Sequence, residues 1–129
     1  ADIAVQLFLD INKFGDSLYH YSLTILDIFE TQYNLENKPE HLAYLNIYFD
    51  HCEIIRREME VALNQTQDLH KMVLIYKDAN EKIVNLTKTY RKDLKFGHNI
   101  RNFPPWNDKV KIALGRDLIK YSSLNIPEY

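Results

Sequence analysis

The chain has 129 residues, a formal net charge of −2, and 46% apolar against 26% charged residues, a balance that favours one folded core over disorder. Three glycines and four prolines are too few for the many turns of a sandwich or barrel, and the single cysteine, Cys52, excludes an internal disulfide framework and any multi-cysteine zinc site. No apolar run approaches the roughly 18 residues that span a bilayer, so the expectation is one domain over residues 1–129, placed in the cytoplasm, with the start at Ala1 leaving processing or a parent chain open.

Apolar residues at alternating spacings of three and four predict helices packed lengthwise. Leu7, Ile11, Phe14, Leu18, Tyr21, Ile25 and Ile28 place a first helix over about residues 2–33, with Gly15 as a weak point inside it. A polar break ends at Pro39, which suits the first turn of a second helix running to about residue 65. That helix carries Leu42, Leu45, Phe49, Cys52, Met59 and Leu63, and Arg56 falls in the same phase, so either the buried face shifts there or Arg56 is paired at a seam.

A third helix spans about residues 67–95 through Leu69, Met72, Tyr76, Ala79, Ile83, Leu86 and Tyr90, with Thr66 as candidate cap and Gly97 suited to the left-handed turn beyond its end. Phe103-Pro104-Pro105-Trp106 reads as rigid and extended, and Asn107 or Asp108 caps a shorter fourth helix through about residue 123. The predicted fold is all-α: an antiparallel up-and-down bundle of three long helices and a shorter fourth, which leaves an apolar groove for a partner or a second copy.

Charge is unevenly spread. Residues 1–65 hold eleven acidic and four basic side chains, and residues 66–129 hold seven and twelve. Attraction between the two halves is one reading; the other is a basic patch for phosphate, on nucleic acid or a lipid surface, built from Lys88, Arg91, Lys92, Lys95 and Arg101 within the basic stretch 82–111. Some of these cations also answer the negative end of the third helix.

The five histidines form no ligand set, and His-Glu-x-x-His, phosphate-loop and Gly-x-Ser-x-Gly motifs do not occur. No metal and no cofactor are expected, and the sequence points away from an enzyme. One run bears on catalysis. Arg91-Lys92-Asp93-Leu94-Lys95-Phe96-Gly97-His98, in a small helical chain, resembles the Arg–His motif of the HEPN family, whose members include metal-independent ribonucleases. The resemblance implies a four-helix bundle with His98 moving a proton at a ribose hydroxyl and Arg91 stabilising the phosphate; the alternative for His98 is a loop or capping residue. Trp106, Tyr44 and Tyr48 are candidate partner contacts, Trp106 also serving as a core anchor. The expected function is a non-enzymatic binding or assembly module that meets another protein or itself, the alternative being a HEPN-like ribonuclease or RNA-binding domain.

Overall fold

The computed structural model describes residues 4–26 and 39–126. It opens with an antiparallel hairpin of two strands, β1 (Val5–Phe14) and β2 (Ser17–Leu26), followed by α1 (Pro39–Leu63), α2 (Leu69–Leu94), α3 (Phe103–Leu114) and a single turn, α4 (Leu118–Tyr121). Short 3-10 turns at Lys95–Gly97 and Ile100–Asn102 link α2 to α3. The fold therefore mixes α and β, which corrects the all-α expectation and the four-helix bundle with coiled-coil-like packing.

The first predicted helix is the hairpin. Gly15 is its turn: with φ +58° it takes the first central position of the two-residue Gly15-Asp16 connection, where only glycine is at ease. The strands alternate at period two, with Val5, Leu7, Leu9 and Ile11 paired with Leu26, Thr24, Ser22 and His20 on the inner face. The stripe read as helical divides between two faces, Leu7, Ile11 and Leu18 turning in and Phe14, Tyr21 and Ile25 turning out. Ile28 and the polar break before Pro39 lie outside the described residues.

β2 lies antiparallel along α1 through a polar seam. Thr24 donates to Glu53 (3.1 Å), Ser22 bonds Glu60 and accepts from Arg56 (3.2 Å), His20 Nε2 meets Asn64 (2.8 Å), and Gln67 reaches Leu18 (2.8 Å). Steps of three and four on the helix meet steps of two on the strand, so successive turns keep pace with successive inward-facing residues. Arg56 is thus paired at a seam, holding Glu53 (2.7 Å) as well as Ser22.

α1 and α2 form an antiparallel helical hairpin around an aromatic cluster. Tyr44 and Tyr90 stack at 5.0 Å, the Tyr90 hydroxyl donates to the Tyr44 carbonyl (2.5 Å), and Tyr48 bonds Thr87 (2.6 Å). α2 begins at Asp68, whose carboxylate accepts from the His70 and Lys71 N–H groups, while Thr66 accepts from the Asp68 N–H. It ends in consecutive left-handed residues Lys95, Phe96 and Gly97; a Cβ on Gly97 would lie 3.3 Å from the Tyr44 ring, so the chain passes too close to α1 there for a larger residue to fit easily.

Pro104 and Pro105 stand in the first turn of α3 rather than in an extended segment, because the first N–H groups of a helix have no intrahelical acceptor to lose. The predicted fourth helix is interrupted by Gly115, left-handed at φ 70°. Asn107 does not cap α3. It is buried, and its Oδ1 accepts from the Leu118 and Ile119 N–H groups (2.8 and 3.2 Å), so it caps α4.

Candidate functional site

The hairpin presents two backbone edges and one outer face. The pair that closes a two-residue turn exchanges both of its hydrogen bonds, so with Phe14 opposite Ser17 the outward N–H and C=O groups belong to the odd residues of β1 and the even residues of β2. Observed bonds agree. On the β2 edge Gln67 donates to the Leu18 carbonyl and accepts its N–H, and Arg56 donates to the Ser22 carbonyl. On the β1 edge the Tyr76 hydroxyl donates to the Leu7 carbonyl (2.7 Å). Beyond Leu7, among the described residues, nothing bonds to the outward groups of Leu9, Ile11 or Lys13. Side chains thus hold three groups of the β2 edge, at Leu18 and Ser22, and one of the β1 edge, at Leu7.

The outer face carries Gln6, Phe8, Asp10, Asn12 and Phe14 on β1 and Tyr19, Tyr21, Leu23 and Ile25 on β2. Phe14 is 75% exposed, Tyr19 and Tyr21 are 58% exposed, and Phe8, Leu23 and Ile25 are also open to solvent. Phe14 and Tyr19 pack edge to face at 6.1 Å. Asp10 is the lone charge on this face, so it is an apolar surface on a sheet of two strands. The signal that could have revealed it was a Gly-Asp turn flanked by two runs rich in β-branched and aromatic residues.

The residues singled out from sequence are placed elsewhere. Tyr44 and Tyr48 are 0% and 1% exposed and belong to the core, which corrects their assignment to a partner surface. Trp106 is half-buried: its Nε1 donates to Asp93 (2.6 Å) and its ring meets Tyr90 and His51, each at 5.0 Å. Asp93 also accepts from Asn102 (3.0 Å), so it ties the end of α2 to the start of α3. Trp106 anchors α3 onto the helical hairpin.

Lys88, Arg91 and Lys92 lie on the last turns of α2, Lys95 caps its end, and Arg101 lies in the turn before α3. Lys88, Lys92, Lys95 and Arg101 are exposed, and Arg91 is half-buried. Lys88 and Arg91 line a cleft of about 280 Å³ with Val5, Tyr48, Val84 and Thr87, where α2 meets the N-terminal end of β1. Arg91 and His98 do not share a helix. α2 stops at Leu94, the chain turns left-handed, and His98 packs edge-on against His41, with ring centroids 6.4 Å apart. The four-helix bundle that the HEPN resemblance implies is not this fold.

Between the acidic and basic halves, Arg116 bonds Asp50 (3.1 Å), whereas Arg56, Arg57, Lys82 and Lys111 pair within their own halves. Burial raises the Asp50 carboxyl above its ordinary range against the pull of Arg116, and pushes the Cys52 thiol up to about 12, where it is protonated and unreactive. Among the described residues no group of three or more His, Cys, Asp or Glu side chains is placed to hold a metal ion, and no helix is long and apolar enough to cross a membrane. Comparison with protein-family models, curated proteins and solved structures returned no match.

Proposed function

We propose that this protein is a non-catalytic assembly module that pairs with a second copy of its own chain through the β-hairpin. The observation that carries this reading is the outer face of the hairpin, where Phe8, Phe14, Tyr19, Tyr21, Leu23 and Ile25 are exposed on a sheet that has two strands among the described residues. Two strands alone are marginal in water, and a large exposed apolar patch marks a contact surface. Aromatic residues supply the strongest contacts in such surfaces.

A second copy is the occupant that the charge pattern favours. With Asp10 its lone charge, the face has no pattern with which to select a charged partner and little to repel its own image. Closed two-fold pairs are the commonest assembly of soluble chains.

The test is sedimentation equilibrium of the full chain over a concentration series, beside a double variant Phe8→Ser, Phe14→Ser. Both side chains are exposed, so the variant keeps the fold. The expected result is a reversible dimer whose dissociation constant rises at least about ten-fold in the variant, the loss of roughly one or two buried aromatic contacts. A chain that stays monomeric throughout the series overturns the reading.

A further inference from the structure

We infer that the second copy adds to the open edge of β1, antiparallel and with Ile11 on the two-fold axis, so that two hairpins join into one four-stranded sheet. The inference rests on the self-association reading and places the contact at the β1 edge of the hairpin, where Phe8 and Phe14 are the outer-face side chains that meet across the seam.

The two edges of the hairpin are treated differently. Gln67 and Arg56 occupy the β2 edge at Leu18 and Ser22. On β1 the Tyr76 hydroxyl takes the Leu7 carbonyl, and the turn begins after Phe14. What remains open is the stretch from Leu9 to Lys13, and Ile11 is its midpoint. Soluble proteins ordinarily protect a free edge with proline, a bulge, or charge pointed inward. β1 has none of the first two: its register against β2 runs unbroken from Val5 to Phe14, without proline. Lys13, at the end by the turn, is its one cationic residue.

A two-fold axis at Ile11 sets Leu9 opposite Lys13 of the copy and Ile11 opposite its own image. Each of these positions points its N–H and C=O outward, so every open group of the stretch gains a partner in hydrogen-bonded pairs. The same register sets Asp10 opposite Asn12 of the copy and Phe8 opposite Phe14 on the outer face, an aromatic pair across the seam. Sliding the copy by two residues in one direction sets Asp10 against Asp10 and uses the Leu7 position, whose carbonyl Tyr76 already holds. Sliding it two residues the other way sets Leu9 opposite Gly15, which has left the strand for the turn. Strand self-pairing is thus favoured in one register by both the backbone and the side chains.

The experiment reads that register through Asn12, an exposed residue whose side chain donates to Asp10 of its own strand (2.8 Å), a contact whose loss weighs equally on monomer and dimer. Asn12→Asp sets two pairs of like charges across the seam, and Asn12→Lys sets two pairs of opposite charge. The dimer dissociation constant of the full chain is therefore expected to rise about ten-fold in N12D and to fall by a similar factor in N12K. Single variants D10C and N12C, mixed and oxidised, are expected to form a disulfide with each other, because a non-hydrogen-bonded pair brings Cα atoms to about 4.5 Å, within disulfide reach. D10C alone is expected not to cross-link to itself. Cys52 is buried and does not compete. A dimer that persists with N12D and N12K shifting its constant in the same direction, or without the mixed cross-link, overturns the edge geometry and leaves self-association standing. A monomer at every concentration overturns both.

Discussion

In the helical hairpin the aromatic side chains are sealed: the Tyr90 ring stacks on Tyr44 and packs at a tilt against Tyr48, and each hydroxyl of Tyr48 and Tyr90 has a partner inside the fold. In the β-hairpin the aromatics Phe8, Phe14, Tyr19 and Tyr21 face outward, and the contact with α1 is stitched largely by polar bonds. One region is complete as a monomer; the other presents the kind of surface that a complete monomer hides. Stability resides in the first, and the proposed self-association in the second. Substitutions in the two regions should therefore separate folding from association.

The largest effect is expected at the centre of the sealed region. Tyr90→Ala removes a ring that touches Tyr44, Tyr48, His51 and Trp106, and should cost about 3–5 kcal/mol in denaturant unfolding. Asn107→Ala comes next. It leaves the buried Leu118 N–H and the Ile119 N–H without their acceptor and should cost about 1–3 kcal/mol. Faster hydrogen exchange at the Leu118 and Ile119 amides would locate the loss.

Gly15→Ala should cost about 1–2 kcal/mol, since nothing crowds the position but φ is +58°. Unlike the first two, this loss should appear as faster exchange in the β-hairpin while α1 and α2 keep their protection. A uniform loss across both regions would mean that hairpin and helices unfold as one unit.

One pH response comes from the sealed region. Burial holds the His51 imidazole below its ordinary value, opposed by its Nε2–H bond to the Trp106 carbonyl (2.8 Å), with Lys109 adding to the fall. As pH drops below about 6.5 the unfolded chain takes up this proton first, so stability is lost progressively down to the folded-state value. Urea midpoints at about pH 7.5 and about pH 5.5 should differ in the wild type, and the part due to His51 should vanish in H51Q. Asp50, held above its ordinary range by burial, acts in the opposite sense at lower pH. The smallest effect on folding is expected at Tyr21→Ser, within about 0.5 kcal/mol, because the side chain is exposed.

From Pro39 to Leu94 the two long helices were legible in the residues. Pro39 and Leu63 bound α1 within two residues of the expected span, and α2 keeps the stripe Met72, Tyr76, Ala79, Ile83 and Tyr90 on its inner side. The hairpin was not, although its residues carry the signal. Apolar side chains populate both faces of both strands, so a period of three and four can be drawn through them as easily as a period of two. The candidate surface was lost with it. Tyr44 and Tyr48 were displaced from the expected surface because α1 buries a broader face, Ala43, Tyr44, Ile47 and Tyr48, than the seam through Leu42 and Leu45 allows.

What the sequence determined by itself is local: helix starts at Pro39 and Asp68, the stop of α3 at Gly115 where glycine takes the left-handed conformation, and a chain too poor in cysteine for disulfides. Those are properties of a residue and its near neighbours. Tertiary structure alone decided which face of the hairpin meets α1, that Gln67 and Arg56 hold backbone groups of Leu18 and Ser22, and that among the described residues nothing bonds the outward groups from Leu9 to Lys13. These depend on residues more than thirty positions apart, and a strand's backbone groups acquire their partners only when the fold brings such distant segments together.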